Sequence, residues 1–200
     1  MILRRLSIAL IPALLILPAA ATAQLSQSDG YKFLEAVRSA NGDDVNKLLN
    51  KPGTTVINTK DYSSGETALH IVAKRGDVLY TRFLLQKGAN PNLRDAKGST
   101  PLLAAIRAGQ DSVIEILVKG KANVNIGNNG GETPLILAVQ LHNLGAVRDL
   151  LAAGADADQP DNLSGKSARD YAIAERRLPQ LAALFADIPK RDRRALVGPR

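Results

Sequence analysis

The chain has 200 residues, 45% of them hydrophobic and 22% charged, which suffices for one domain or a short repeat array. It contains no Cys, which excludes disulfides, thiolate nucleophiles and cysteine-ligated metals, and with three Phe, four Tyr and no Trp its core must be built from Ala, Leu, Ile and Val. The formal charge is +7, but Arg4 and Arg5 lie in the first 23 residues and Lys190, Arg191, Arg193, Arg194 and Arg200 in the last 13, so residues 24–187 carry only about +1, too little for a phosphate-tracking surface, and no nucleic-acid partner is expected.

The chain opens with Met1 to Arg5, a short positive segment, followed by an apolar run that ends in the small residues Ala21, Thr22 and Ala23. This is the pattern of a signal peptide spanning residues 1–23, cleaved between Ala23 and Gln24. Pro12 and Pro18 count against a long membrane helix, and the alternative is an uncleaved N-terminal anchor in an inner membrane. Export without cysteine points to a bacterial periplasm.

From Phe33 onward the sequence repeats. Thr67, Thr100 and Thr133 stand 33 residues apart, as do Leu69, Leu102 and Leu135, then Leu84, Leu117 and Leu150, then Ala89, Ala122 and Ala155. Phe33–Leu49 reads as a degenerate first unit, and Gly165-Lys166-Ser167 opens a fifth with one residue inserted. Each threonine precedes a helix and offers its hydroxyl to an orphan N–H, while Pro101 and Pro134 follow at the first helical position. Small residues (Ala73, Ala105, Ala138) suit close packing of the first helices; Leu79, Phe83 and Leu84, then Val113, Ile116 and Leu117, then Val147, Leu150 and Leu151 line the second helices. Neither helix of a pair is long enough to stand alone, so stacking must supply the stability. Gly88 and Gly154 end the second helices, whereas the third unit has Gly120-Lys121: either the helix ends one residue early, which local propensity favours, or Lys121 takes the strained left-handed conformation. The connection from Lys51 to Ser64 is longer than the pattern and forms either an extended finger or a loose loop.

These motifs resemble the ankyrin repeat over about residues 30–187. The resemblance implies an all-α fold: an ankyrin-repeat solenoid of stacked helix-turn-helix units with hairpin finger loops, occupying residues 24–187 in about five units, the first and last degenerate caps. Residues 188–200 are then a basic disordered tail, either a solubilising extension or one that makes weak electrostatic contact with an anionic membrane. Chemistry is not expected. By resemblance, His70 bridges backbone groups between units, and His142 falls in an exposed inter-helix turn. The two are too far apart in sequence for a shared metal or catalytic pair. Gly165-Lys166-Ser167 lacks the upstream glycine of a phosphate loop, Pro160 standing in its place. No catalytic residue, cofactor or metal is expected.

The resemblance implies a protein partner bound to the concave face by a monomer. The positions that would meet it are Tyr62, Ser63, Ser64, Glu66, Lys74 and Arg75 in the second unit, Ala96, Lys97, Ser99 and Arg107 in the third, and Asn129, Glu132, Gln140 and Leu141 in the fourth. Lys74, Arg75, Lys97 and Arg107 would form a basic strip flanked by Glu66 and Glu132, and Tyr62 is the expected aromatic anchor. The function so implied is a non-catalytic adaptor or scaffold, similar to small exported bacterial ankyrin proteins, some of which support stress defence. The alternatives are a toxin-neutralising binder and an envelope-associated hydrolase.

Overall fold

The computed structural model describes residues 28–190; the expected signal peptide, its cleavage site at Ala23 and Gln24, and residues 191–200 lie outside the described residues. Among the described residues, ten α-helices follow one another in five antiparallel pairs: α1 (Asp29–Arg38) with α2 (Gly42–Leu49), α3 (Ala68–Arg75) with α4 (Val78–Gln86), α5 (Pro101–Arg107) with α6 (Asp111–Lys119), α7 (Pro134–Gln140) with α8 (Leu144–Ala152), and α9 (Ala168–Ala174) with α10 (Pro179–Ala183). First helices pack on first helices along the whole array, and second on second in the three inner units, so each pair covers an apolar face of the one before. No helix among the described residues is long and apolar enough to cross a membrane.

None of these helices exceeds 10 residues, so each depends on its caps and on burial. Thr100 and Thr133 accept the backbone N–H of Leu103 and Ile136, and Pro101 and Pro134 take the first helical position. At α3 the arrangement differs: the Thr67 hydroxyl and backbone N–H both bond Nδ1 of His70. In the last unit Asp170 takes the histidine's place, its carboxylate accepting from the backbone N–H of Ser167 at 2.9 Å. The core lies between the helix layers in two adjoining clusters. Phe33, Leu34, Val37, Val45, Leu69 and Leu84 fill the first two units. Leu102, Ile114, Leu117, Leu135, Val147, Leu150, Leu181 and Phe185 fill the rest, and Leu85 packs against both clusters. Each fully buried leucine contributes roughly 1.5–3 kcal/mol by leaving water.

Two expectations are corrected. Helix α6 does not end early: it stops at Lys119, in register with Gln86 and Ala152, and Lys121 adopts the left-handed conformation (φ 64°) that Gly88 and Gly154 supply elsewhere. Keeping the bond from the Ala122 N–H to the Leu117 carbonyl, the counterpart of Ala89 to Leu84 and Ala155 to Leu150, outweighs a strain of about 1–2 kcal/mol. At Gly120 a Cβ would stand 2.7 Å from Leu85 Cδ1 of the preceding unit, a side-chain end that would have to shift. The long first connection is neither a plain finger nor a loose loop. It contains a 3-10 turn at Val56–Asn58 whose Val56 is buried in the first cluster.

A row of side-chain oxygens joins the loops that follow the second helices. Asn58 accepts from the Asn90 N–H, Asn92 from Asn123, and Asn125 from Asp156, at 2.7–2.8 Å, with Asn90, Asn123 and Asp156 closing the turns between. The row ends at Asp158, which receives Nε and Nη2 of Arg169 at 2.7 and 3.2 Å. Arg169 occupies the register of Leu69, Leu102 and Leu135, is 8% exposed, and also donates to the carbonyl of Phe185 at 2.8 Å. The apolar core thus stops at a buried ion pair that holds the final segment. Ile188 and Pro189, the first residues of the expected tail, belong to this packed end: Ile188 rests on the core and the Pro189 carbonyl accepts from Arg169.

Candidate protein-binding surface

Four short loops, the fingers, precede α3, α5, α7 and α9. Each is closed by a backbone bond from the N–H of its first residue: Asp61 to Glu66, Asp95 to Ser99, Asn128 to Glu132 and Asp161 to Lys166. The first residue of each turns its side-chain oxygen back onto the N–H groups of its own tip, as short polar side chains do in such turns. These bonds favour the charged carboxylates. At Asp61 the N–H of Ser64 and the hydroxyl of Ser63 lower the pKa well below the ordinary carboxylate range, against burial and with help from Arg38. At Asp161 burial pulls the other way, but Tyr171, Ser164 and Gly165 together bring the pKa to about 2.

Neighbouring fingers are also bonded to one another. The N–H groups of Ala96, Asn129 and Asn162 donate to the carbonyls of Ser64, Lys97 and Gly130 at 2.9–3.1 Å. The fingers therefore form one continuous edge. Beneath them, Nε2 of His70 bonds the Ser99 carbonyl at 2.9 Å, which ties the second unit to the third. Burial holds the His70 pKa below its ordinary value despite that carbonyl, so the ring stays neutral, with Nε2 protonated and Nδ1 accepting.

Between the fingers and the first helices of the second and third units runs a groove of about 290 Å³, lined by Glu66, Lys74, Asp95, Lys97, Ser99, Leu103, Ala104, Arg107 and Ala108. It brings together five of the expected residues: Glu66, Lys74, Lys97, Ser99 and Arg107. Two of the cations are already paired across the surface, Lys74 with Glu66 and Arg107 with Glu132. Ala96, Ser63 and Tyr62 are exposed at finger tips, Ser64 is half-buried, and Asn129 is exposed while spanning to the carbonyl of Ala96. Gln140 and Leu141 are exposed at the end of α7 and do not line the groove.

Two of the expected positions do not serve as free contacts. Arg75 leaves the basic strip, because its guanidinium reaches back to the carbonyls of Val37 and Arg38 and to Asp77, stitching the second unit to the first. Ser99 is only 6% exposed, since its N–H and carbonyl are consumed by Asp95 and His70. Sequence reasoning missed Leu103, Ala104 and Ala108 on the groove floor, which the helical register of α5 could have given. It also missed Leu163, 91% exposed at the tip of the last finger. His142 is exposed in the turn as expected; it adopts a left-handed backbone (φ 57°), and its Nε2 meets Glu175 at 3.1 Å.

A family model described as ankyrin repeats (3 copies) matches residues 33–128 and 81–161. The chain is similar over 130 residues, at 36% identity, to Neurogenic locus notch homolog protein 1 of Xenopus laevis (64% of this chain, 5% of that protein). It is 37% identical over 60 residues to the Nuclear factor NF-kappa-B p110 subunit of Drosophila melanogaster (30% and 6%) and 40% identical over 77 residues to Protein PhlB of Serratia liquefaciens (38% and 33%). The aligned stretches span a third or less of these relatives' own lengths. With more than half of its length matched and five helical hairpins stacked behind a row of fingers, the chain belongs to the ankyrin-repeat family, a protein-interaction fold.

Proposed function

We propose that this protein is a non-catalytic adaptor that holds a partner protein in the groove beneath its fingers, in the bacterial periplasm, with stress defence as its setting. The observation that carries the reading is the groove itself. It spans two units, has an apolar floor at Leu103 and Ala104, and is rimmed by charged groups of which Lys74 and Arg107 are held by ion pairs with Glu66 and Glu132. A surface so held needs little ordering when a partner arrives, which favours binding. Export rests on the character of residues 1–23, with their positive start, apolar run and Ala21-Thr22-Ala23 end.

Two measurements test this. A photo-crosslinking residue at Ala104 should give a covalent adduct with one protein in living cells, while the same residue at Ser112, exposed on α6, should give none. Adducts from Ser112 alone, or from neither position, would remove the groove from consideration. For export, the protein released by osmotic shock should begin at Gln24; a chain that keeps Met1 and stays in the cytoplasm contradicts it.

A further inference from the structure

The four fingers are not alike. Those at 95–99 and 128–132 turn in three residues from the first side-chain oxygen to the glycine (Asp95 to Gly98, Asn128 to Gly131), whereas those at 61–66 and 161–166 take four (Asp61 to Gly65, Asp161 to Gly165). The two longer fingers are the outer ones, and each puts a large apolar side chain into water: Tyr62, 76% exposed, and Leu163, 91% exposed. The shorter inner tips carry Ala96-Lys97 and Asn129-Gly130. The row is therefore apolar at both ends and polar in the middle.

Its charges are distributed just as unevenly. Asp61, Asp95 and Asp161 are turned inward onto their own tips. Lys60 donates to the Arg94 carbonyl, Arg94 to the Gly98 carbonyl and Asn129, and Lys166 lies over the Tyr171 ring. Lys97 is exposed, and among the described residues its ammonium has neither an ion pair nor a hydrogen bond. It sits at a finger tip and on the lip of the groove. A carboxylate is the complement it lacks.

Helical units pack about 8–10 Å apart, so three steps separate Tyr62 from Leu163 by roughly 30 Å, and Lys97 stands about one step from Tyr62. An extended chain advances about 3.3 Å per residue, so roughly nine residues span the row and about three separate its first two contacts. We propose that the finger row binds an extended stretch of a partner chain in which a carboxylate lies about three residues from one apolar side chain and about six from a second, the three meeting Lys97, Tyr62 and Leu163. This rests on the reading that the finger side binds protein, and it specifies which protein segments that side accepts.

The test uses a display library of random fifteen-residue peptides selected on the chain as isolated from cells. The selected peptides should share two large apolar residues about nine apart, with Asp or Glu about three from one of them. Tyr62→Ser and Leu163→Ser should each weaken the best peptide about tenfold, Tyr62→Phe should retain it, and Lys97→Glu should turn the selection toward Lys or Arg at the acidic position. Selected peptides without that pattern, an empty selection, or binding within twofold of the parent for all three disruptive substitutions would overturn the proposal. Crosslinks at Ser112 alone would remove the groove reading as well, whereas crosslinks at Ala104 with an unpatterned library remove only this inference.

Discussion

Replacing Asp158 by Ala strands a buried guanidinium. Arg169 sits where three other units have leucine, and Asp158 receives two of its hydrogen bonds; among the described residues the Phe185 and Pro189 carbonyls and the Phe185 ring remain as its other partners. Removing one member of such a pair costs about 3–5 kcal/mol, because the other charge stays out of water without its counter-charge. Arg169→Leu alone should also destabilise, by about 1–3 kcal/mol, since it withdraws the guanidinium from Asp158 and the donor from the Phe185 carbonyl. The double variant Asp158→Ala/Arg169→Leu removes both charges and restores the leucine of the inner units. Its cost should be only about 1–2 kcal/mol, chiefly the lost bonds to the final segment. The assay is urea unfolding of all four proteins as a double-mutant cycle, with hydrogen exchange on Ala168–Ala174 to detect opening of the last unit by itself. Single variants that cost less than about 1 kcal/mol, or single costs that simply add in the double variant, would refute the reasoning.

Three further outcomes are expected. Because burial lowers the pKa of His70 in the fold, neutral His70 stabilises the protein fully above its ordinary value of 6.5, and that contribution declines as pH falls below it; the stability gap between the protein and His70→Gln should narrow from pH 7.5 to pH 5, and parallel curves would contradict this. Lys121→Gly should raise stability by about 1 kcal/mol in thermal or urea unfolding, by relieving the left-handed strain. Asn92→Ala, which deprives the Asn123 N–H of its 2.7 Å acceptor, should cost about 1 kcal/mol and speed exchange at that amide.

The fold was legible because a 33-residue period places cap, core and turn residues at fixed offsets, and those offsets report backbone geometry directly. Thr100, Pro101 and Leu102 need no context to be read as a helix start. At Lys121 local propensity favours an early helix end, while the decisive influence is the register of the neighbouring turns, which keeps the bond from the Ala122 N–H to the Leu117 carbonyl. The surface was legible only in part. Position in the repeat indicates which side chains lie near the fingers, but not which of them are used internally. Arg75 and Ser99 have surface positions in the pattern, yet their polar groups are consumed by neighbouring units. Such long-range bonds leave no local mark in sequence. The ion pair of Arg169 with Asp158 had one, a charged residue in a leucine register, and its partner became evident only once the turn of residues 154–158 was in place.

The array is laced along two margins, by finger-to-finger backbone bonds on one and by the asparagine row on the other. A change in the step between units must stretch both sets of bonds, so its pitch resists adjustment to a poorly matched guest. A partner must bring the matching spacing itself, and discrimination among guests then shows in how fast the mismatched ones leave.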